Sequence, residues 1–270
     1  MLEKNKIYNT DCLAGMEGIA DKSIDMILCD LPYGVTDCRW DSVLPFDKLW
    51  EQYERIIKDN GAIVLTAIQP FTTALIQSNR KLFRYCWYWH KNCPTGFANA
   101  KKQPMRCIED IVIFYKNPPI YNPQGLIRLD KPIYHKGSNK RGEVYSHGLG
   151  SDFVTEYSNY PRNLLSVKCE RGLHPTQKPT ALFEYLIRTY TNEGALVLDN
   201  CMGSGTTAVA CIRSERDFIG FELDDKHFDT ASKRIEDELA RRKKVLPAPT
   251  GIAGAKEARK LPPDKVKKLG

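Results

Sequence analysis

In this 270-residue chain the apolar run Ile24-Asp25-Met26-Ile27-Leu28-Cys29 breaks off into Asp30-Leu31-Pro32-Tyr33-Gly34. The continuous apolar character predicts a buried strand ending in an acid. Pro32 holds Leu31 extended, so the Asp30 side chain and the Leu31 carbonyl can face one point. Both are acceptors, and an exocyclic amino group has two hydrogens to donate. Tyr33 adds a flat ring on which a purine or pyrimidine can stack. A capping Asp and a turn Pro would explain Asp-x-Pro alone; the aromatic and the glycine after it favour a site.

A second unit lies far along the chain, at Val197-Leu198-Asp199-Asn200-Cys201-Met202-Gly203-Ser204-Gly205-Thr206-Thr207. It reads as a strand, a glycine-rich turn and a helix. Glycines at 203 and 205 allow close backbone approach to a ligand, and amides at a helix start favour an anionic group. The next strand, Phe218-Ile219-Gly220-Phe221, ends at Glu222, about twenty residues on, where a nucleotide-binding fold holds ribose hydroxyls. A dinucleotide site would want a third glycine where Ala208 stands. Alanine is tolerated there, so this turn alone leaves that reading open.

Alternating strands and helices must position these groups. Lys6–Asn9 reads as a strand and Leu13–Met16 as part of a helix. Phe46, Leu49, Trp50, Tyr53 and Ile57 mark one face of a helix running to Lys58, with Asn60-Gly61 as its stop and a strand from Ala62. A helix follows Pro70, then strands over Phe83–Trp89 and Ile108–Tyr115. From Lys116 to about Leu173 no period is sustained, and such a stretch inside a compact enzyme is usually functional. A helix after Pro179, the strand Ala195–Asp199, a helix near Thr206 and a last helix to about Arg241 complete the pattern. Alternation of this kind predicts a doubly wound α/β sheet, mostly parallel.

The net charge of +7 suits a polyanionic partner, although part of it sits in the C-terminal tail. The nine cysteines are scattered, with no Cys-x-x-Cys and no zinc spacing, which predicts a reduced, cytoplasmic protein without a metal. No run approaches a membrane span.

Asp30-Leu31-Pro32-Tyr33 resembles the Asp-Pro-Pro-Tyr signature of the amino-methyltransferases, and Gly203-Ser204-Gly205-Thr206 resembles their Phe-x-Gly-x-Gly cofactor motif. The catalytic motif comes first, the order of the β class. His174-Pro175-Thr176-Gln177-Lys178-Pro179 is similar to that class's His-Pro-Thr-x-Lys-Pro element, and Thr10-Asp11-Cys12 to its Gly-Asp-Cys element. Gln69-Pro70-Phe71 and Glu109-Asp110 resemble segments of adenine methylases from phages and prophages. The resemblance covers roughly residues 4 to 240. Two departures stand out: Leu31 replaces the first proline of the signature, and Asn200-Cys201 replaces Pro-Phe.

The resemblance implies a Rossmann-like, seven-stranded methyltransferase sheet and direct transfer of a methyl group from S-adenosylmethionine to an exocyclic nitrogen of DNA. It favours adenine N6, since the cytosine-N4 members more often carry Ser at position 30. Asp30 and the Leu31 carbonyl would hold the amino hydrogens, with Tyr33 as the platform for a flipped base. Asp11 and Cys12 would border the cofactor's adenine and Glu222 its ribose. Asp199, Asn200, Cys201, Gly203, Ser204, Gly205 and Thr206 would follow its methionine portion, whose carboxylate Lys178 and Thr176 would meet. His174 is expected to be structural.

Basic residues interleaved with aromatics suit contact with double-stranded DNA. Lys91, Lys101, Lys102 and Arg106 lie around Gly96, Phe97 and Asn99; Lys131, Lys136, Lys140 and Arg141 lie near Tyr121, Tyr134 and Tyr145. The expected organisation is a catalytic half (1–115), a target-recognition insert (116–172), a cofactor half (173–241) and a basic tail (242–270). A cytosine-N4 enzyme and a catalytically inactive DNA-binding subunit are the competing readings. Relatives in the class include dimers and partners of a cognate restriction endonuclease; no residue here decides either.

Overall fold

The structure is a computed structural model that describes residues 2–34, 42–137, 151–170 and 177–245. Strands β1 (Lys6–Asn9), β2 (Ile24–Cys29), β3 (Ile57–Ala67), β4 (Phe83–Thr95), β5 (Arg106–Phe114), β8 (Leu164–Ser166), β9 (Leu196–Asp199) and β10 (Asp217–Glu222) form one sheet. Their order is β1-β10-β9-β2-β3-β5-β4-β8. Pairing is parallel from β1 across to β3, antiparallel on both sides of β5, and parallel again between β4 and β8. The sheet is Rossmann-like, as expected, but has eight strands rather than seven. The extra strand is β8, three residues added to the β4 edge and too short to leave a pattern in the sequence.

The central strands are apolar on both faces because helices cover both. Leu49, Tyr53 and Ile56 of α2 (Phe46–Ile56) and Phe71 and Leu75 of α3 (Phe71–Ser78) pack against Ile27, Ile63, Leu65 and Leu198. On the other face Leu182, Phe183 and Leu186 of α4 (Thr180–Tyr190) and Ala208 and Cys211 of α5 (Thr206–Ser214) meet Met26, Leu28, Val64 and Val197. Two further helices complete these layers, α1 (Cys12–Glu17) and α6 (Asp225–Val245).

Two sequence expectations need correcting. The helix α2 stops at Ile56, and Asn60-Gly61 lies inside β3, where the β2–β3 register slips between Ile24 and Met26. Gly61 serves that bulge: a Cβ there would stand 2.9 Å from the Asp25 carbonyl oxygen and 2.7 Å from the Ile57 side chain. The segment expected to be irregular holds β8 and a separate two-stranded antiparallel sheet, β6 (Ile127–His135) with β7 (Phe153–Ser158). No helix among the described residues is long and apolar enough to cross a membrane.

Candidate active site

The carboxyl ends of four adjacent parallel strands converge. Asp11 follows β1, Asp30 follows β2, Asp199 closes β9 and Glu222 closes β10. Chain order reverses between β2 and β9, and a crevice at such a switch point is where open α/β sheets bind ligands. A cavity of about 1060 Å³ opens there. Asp11, Cys12 and Glu222 line it, as do Asp30 and Lys178, and Arg106 and Ile108 of the β4–β5 hairpin. This is roughly the upper end of the ~300–1,000 Å³ usual for one ligand, leaving room for a cofactor and a base together.

The glycine-rich turn is shaped by its backbone. Gly203 and Gly205 have φ of 54° and 82°, left-handed values that favour glycine. The Gly203 amide donates to Glu222 Oε2 at 2.7 Å and the Asp224 amide to Oε1 at 2.9 Å. Each Glu222 oxygen keeps a lone pair for a hydroxyl of a bound ribose. Asp199 is buried and accepts from the Cys201 amide at 3.0 Å and from the Thr207 hydroxyl. Burial pushes its carboxyl up to about 6, against the pull of those hydrogen bonds. At Asp11, Oδ1 caps α1 by accepting from the Leu13 and Ala14 amides, both at 3.0 Å.

The Asn200-Cys201 departure has a structural account. The Tyr53 hydroxyl donates to Asn200 Oδ1 at 2.5 Å. The Cys201 thiol lies among those of Cys12 and Cys29. Burial pushes the Cys29 thiol up to about 12, so it is no nucleophile at neutral pH.

Asp30 stands in a denser network than the sequence implied. Its Oδ1 accepts from the Tyr33 hydroxyl at 2.5 Å, from the Thr66 hydroxyl and from Lys178 Nζ at 2.8 Å. Its Oδ2 accepts from Lys178 at 2.7 Å. Each carboxylate oxygen has two lone pairs, so Oδ2, with one donor, keeps one open.

Lys178 also lies 3.3 Å from Glu109 Oε2, while Glu109 Oε1 accepts from Lys91 Nζ at 2.8 Å. The result is a buried chain of alternating charge, Lys91–Glu109–Lys178–Asp30, with side-chain exposures of 7, 14, 6 and 27%. Burial opposes the charge on Lys178, but Asp30, Tyr33 and Glu109 together hold it protonated well above its usual value.

Lys178 lines the cavity and extends to Asp30 and Glu109. One site expectation is revised. Lys91 is buried on Glu109 and presents no charge to a phosphate. Tyr33 is held by its hydroxyl, with its ring against Phe71 at 5.2 Å.

Lys101, Lys102, Arg106 and Lys136 are exposed, as DNA contacts must be, and so is Lys131. Thr176, His174, Lys140, Arg141 and Tyr145 lie outside the described residues. Sequence reasoning missed Thr66 and the pairing role of Glu109.

With this geometry in view, the family model described as DNA methylase, covering N6 and N4 enzymes, matches residues 24–233. The chain belongs to the DNA methylase family. This methylase is 27% identical over 248 residues to the type II methyltransferase M.HpaI of Haemophilus parainfluenzae, spanning 87% of this chain and 75% of that one. It is 28% identical over 271 residues to the DNA adenine methyltransferase YhdJ of Escherichia coli, with 90% and 88% covered. The solved structure of the M1.HpyAVI–SAM complex superposes with a TM-score of 0.60 at 25% identity, covering 85% of this methylase and 98% of that chain. The cytosine-N4-specific PvuII methyltransferase, at 16% identity and a TM-score of 0.60, shares the fold.

Proposed function

We propose that this methylase transfers the methyl group of S-adenosylmethionine to the N6 amino group of adenine at a specific site in double-stranded DNA. The observation that carries this is the placement of Asp30, Asp199, Glu222 and Asp11 around one cavity at the carboxyl edge of the sheet. The residues suit the cofactor: glycines where a Cβ would strain the turn, Glu222 for the ribose, Asp11 and Cys12 for the adenine. When bound, the cofactor supplies the sulfonium methyl. Adenine is supported by the aspartate at position 30 and by the likeness to YhdJ, a DNA adenine methyltransferase.

An exocyclic amino nitrogen is a weak nucleophile because its lone pair is delocalised into the ring. Asp30 Oδ2 and the Leu31 carbonyl take its two hydrogens and favour a pyramidal nitrogen. The fixed carboxylate stabilises the positive charge that develops there, at no cost in reorganisation. Thr66 and Tyr33 fix the carboxylate's direction. Inside a duplex the amino group is paired and stacked, so the base must leave the helix, with Tyr33 beside it in the cavity. Residues 116–172, including β6 and β7, are assigned to target recognition between the catalytic half (1–115) and the cofactor half (173–241). A role beside a cognate restriction endonuclease rests on the type II names of relatives alone.

Asp30→Ala tests the assignment. Turnover should fall by about 10²–10³ or more, the effect of removing one preorganised electrostatic contact. Cofactor affinity by calorimetry should stay within a few fold. Near-normal turnover would remove Asp30 from the mechanism.

A further inference from the structure

We propose that Phe97 is a wedge that enters the DNA stack where the target base has left it, an inference that rests on the base-flipping reading above. Phe97 is 80% exposed, the most exposed large apolar side chain among the described residues. Its turn is well formed. Gly96, at φ 91°, sets a left-handed entry that a side chain would strain. The Asn99 amide then donates to the Gly96 carbonyl and the Ala100 amide to that of Phe97, each at 3.0 Å. The Lys102 and Gln103 amides close on the Asn99 carbonyl at 2.8 and 3.0 Å. An apolar ring is thus held out in water by a hydrogen-bonded turn. That arrangement gains nothing for folding and is suited to a partner that buries the ring.

Position identifies the partner. The turn caps the β4–β5 hairpin, which Thr95 and Arg106 close as a pair. The same strands carry Lys91 and Glu109 into the catalytic network, and Thr95, Arg106 and Ile108 line the cavity. Two Cα steps of 3.80 Å put Phe97 within about 7.6 Å of Thr95 along the backbone. The turn that carries the ring therefore stands two residues from the cavity's edge, the neighbourhood a wedge beside an extruded nucleotide would occupy. Lys101, Lys102 and Arg106, all exposed, supply positive charge on the same hairpin for the phosphates beside that gap. Tyr134 on β6 is nearly as exposed, at 79%, but among the described residues no cavity-lining residue lies on β6 or β7.

An apolar wedge offsets part of the unstacking cost of extrusion, so its loss should matter most where extrusion is hardest. The test compares wild type, Phe97→Ala and Phe97→Trp on DNA carrying a mapped methylation site. Each is assayed on the intact duplex, on a duplex with an abasic position opposite the target, and with 2-aminopurine as the target base.

Phe97→Ala should lose roughly ten- to a hundredfold in kcat/KM on intact duplex, the loss expected for one base–aromatic stack. Most of that loss should disappear opposite the abasic position, where no pairing resists extrusion. The 2-aminopurine fluorescence rise should shrink in parallel, cofactor affinity should not change, and Trp should restore the activity. A variant equal to wild type on intact duplex would overturn the proposal, as would an equal loss on both duplexes. Wild-type protein that methylates no DNA would overturn the functional reading and the wedge together.

Discussion

Replacing Lys178 by methionine keeps most of the side chain's length and removes its charge. Asp30 and Glu109 would then share a site with Lys91 as the remaining cation of the chain, and among carboxylates Lys91 pairs with Glu109, at 2.8 Å. Removing one member of a buried ion network costs about 3–5 kcal/mol, because the remaining charge is uncompensated. Asp30 is 27% exposed and keeps the Tyr33 and Thr66 hydroxyls, which places this case at the lower end. About 3 kcal/mol corresponds to a Tm loss of roughly 6–12 °C for a domain of this size.

The pH dependence is more diagnostic than the size. In wild type, Lys178 is held above its usual value, so its contribution is complete below about pH 10 and constant between pH 5 and 8. In the variant, two carboxylates without their cation repel each other, and that repulsion is present only while both are ionised. The gap between variant and wild type should therefore be widest near pH 8 and narrow toward pH 5. Thermal and urea unfolding at both pH values measure it. A variant within about 2 °C of wild type at pH 8 would refute the charge-chain account, and so would a gap independent of pH.

The same linkage applies to Asp199, whose carboxyl lies at about 6, above the roughly 3.9 of the unfolded chain. Stability is lost as pH rises from about 3.9 through 6, so Asp199→Asn should stabilise the protein at pH 8 by up to about 3 kcal/mol and by only about 1 kcal/mol at pH 4.5; destabilisation at pH 8 would contradict this. Lys101→Ala with Lys102→Ala should weaken DNA binding without regard to sequence and lower the salt slope by about 2, read by titration across ionic strengths. Lys91→Gln should leave that slope unchanged while lowering Tm, since its ammonium is buried. Exchanging residues 116–172 for the equivalent segment of a relative should change the methylated sequence, mapped by sequencing; an unchanged site would refute the recognition role.

Much of this arrangement was legible in the sequence because a strand that ends in an acid carries its own punctuation. Asp30 before Leu31-Pro32, Asp199 before the glycine turn and Glu222 at the next strand end all lie at the carboxyl edge they were expected to share. Asn60-Gly61 misled, because the residues that stop a helix also make a bulge. The strands β6, β7 and β8 were invisible: β6 is exposed along most of its nine residues and carries Pro132, β7 buries no residue fully, and β8 has only three residues.

Lys91 carried a signal that was not used. It follows Trp87 and Trp89 at a spacing of two, on the face of β4 that is buried. Its pairing with Glu109 across the hairpin, and that of Lys178 with Asp30 across 148 residues, arise only from folding. Local pattern encodes where a strand ends; it does not encode which buried charges will meet.

The proposed amino-methyl transfer centres on Asp30. The most direct measurement is transfer of a labelled methyl group from S-adenosylmethionine to unmethylated DNA, followed by digestion to nucleosides and identification by mass. N6-methyldeoxyadenosine is the expected labelled product. N4-methyldeoxycytidine would preserve the geometry and overturn the adenine assignment, and bound cofactor without any transfer to DNA would refute methyl transfer at Asp30.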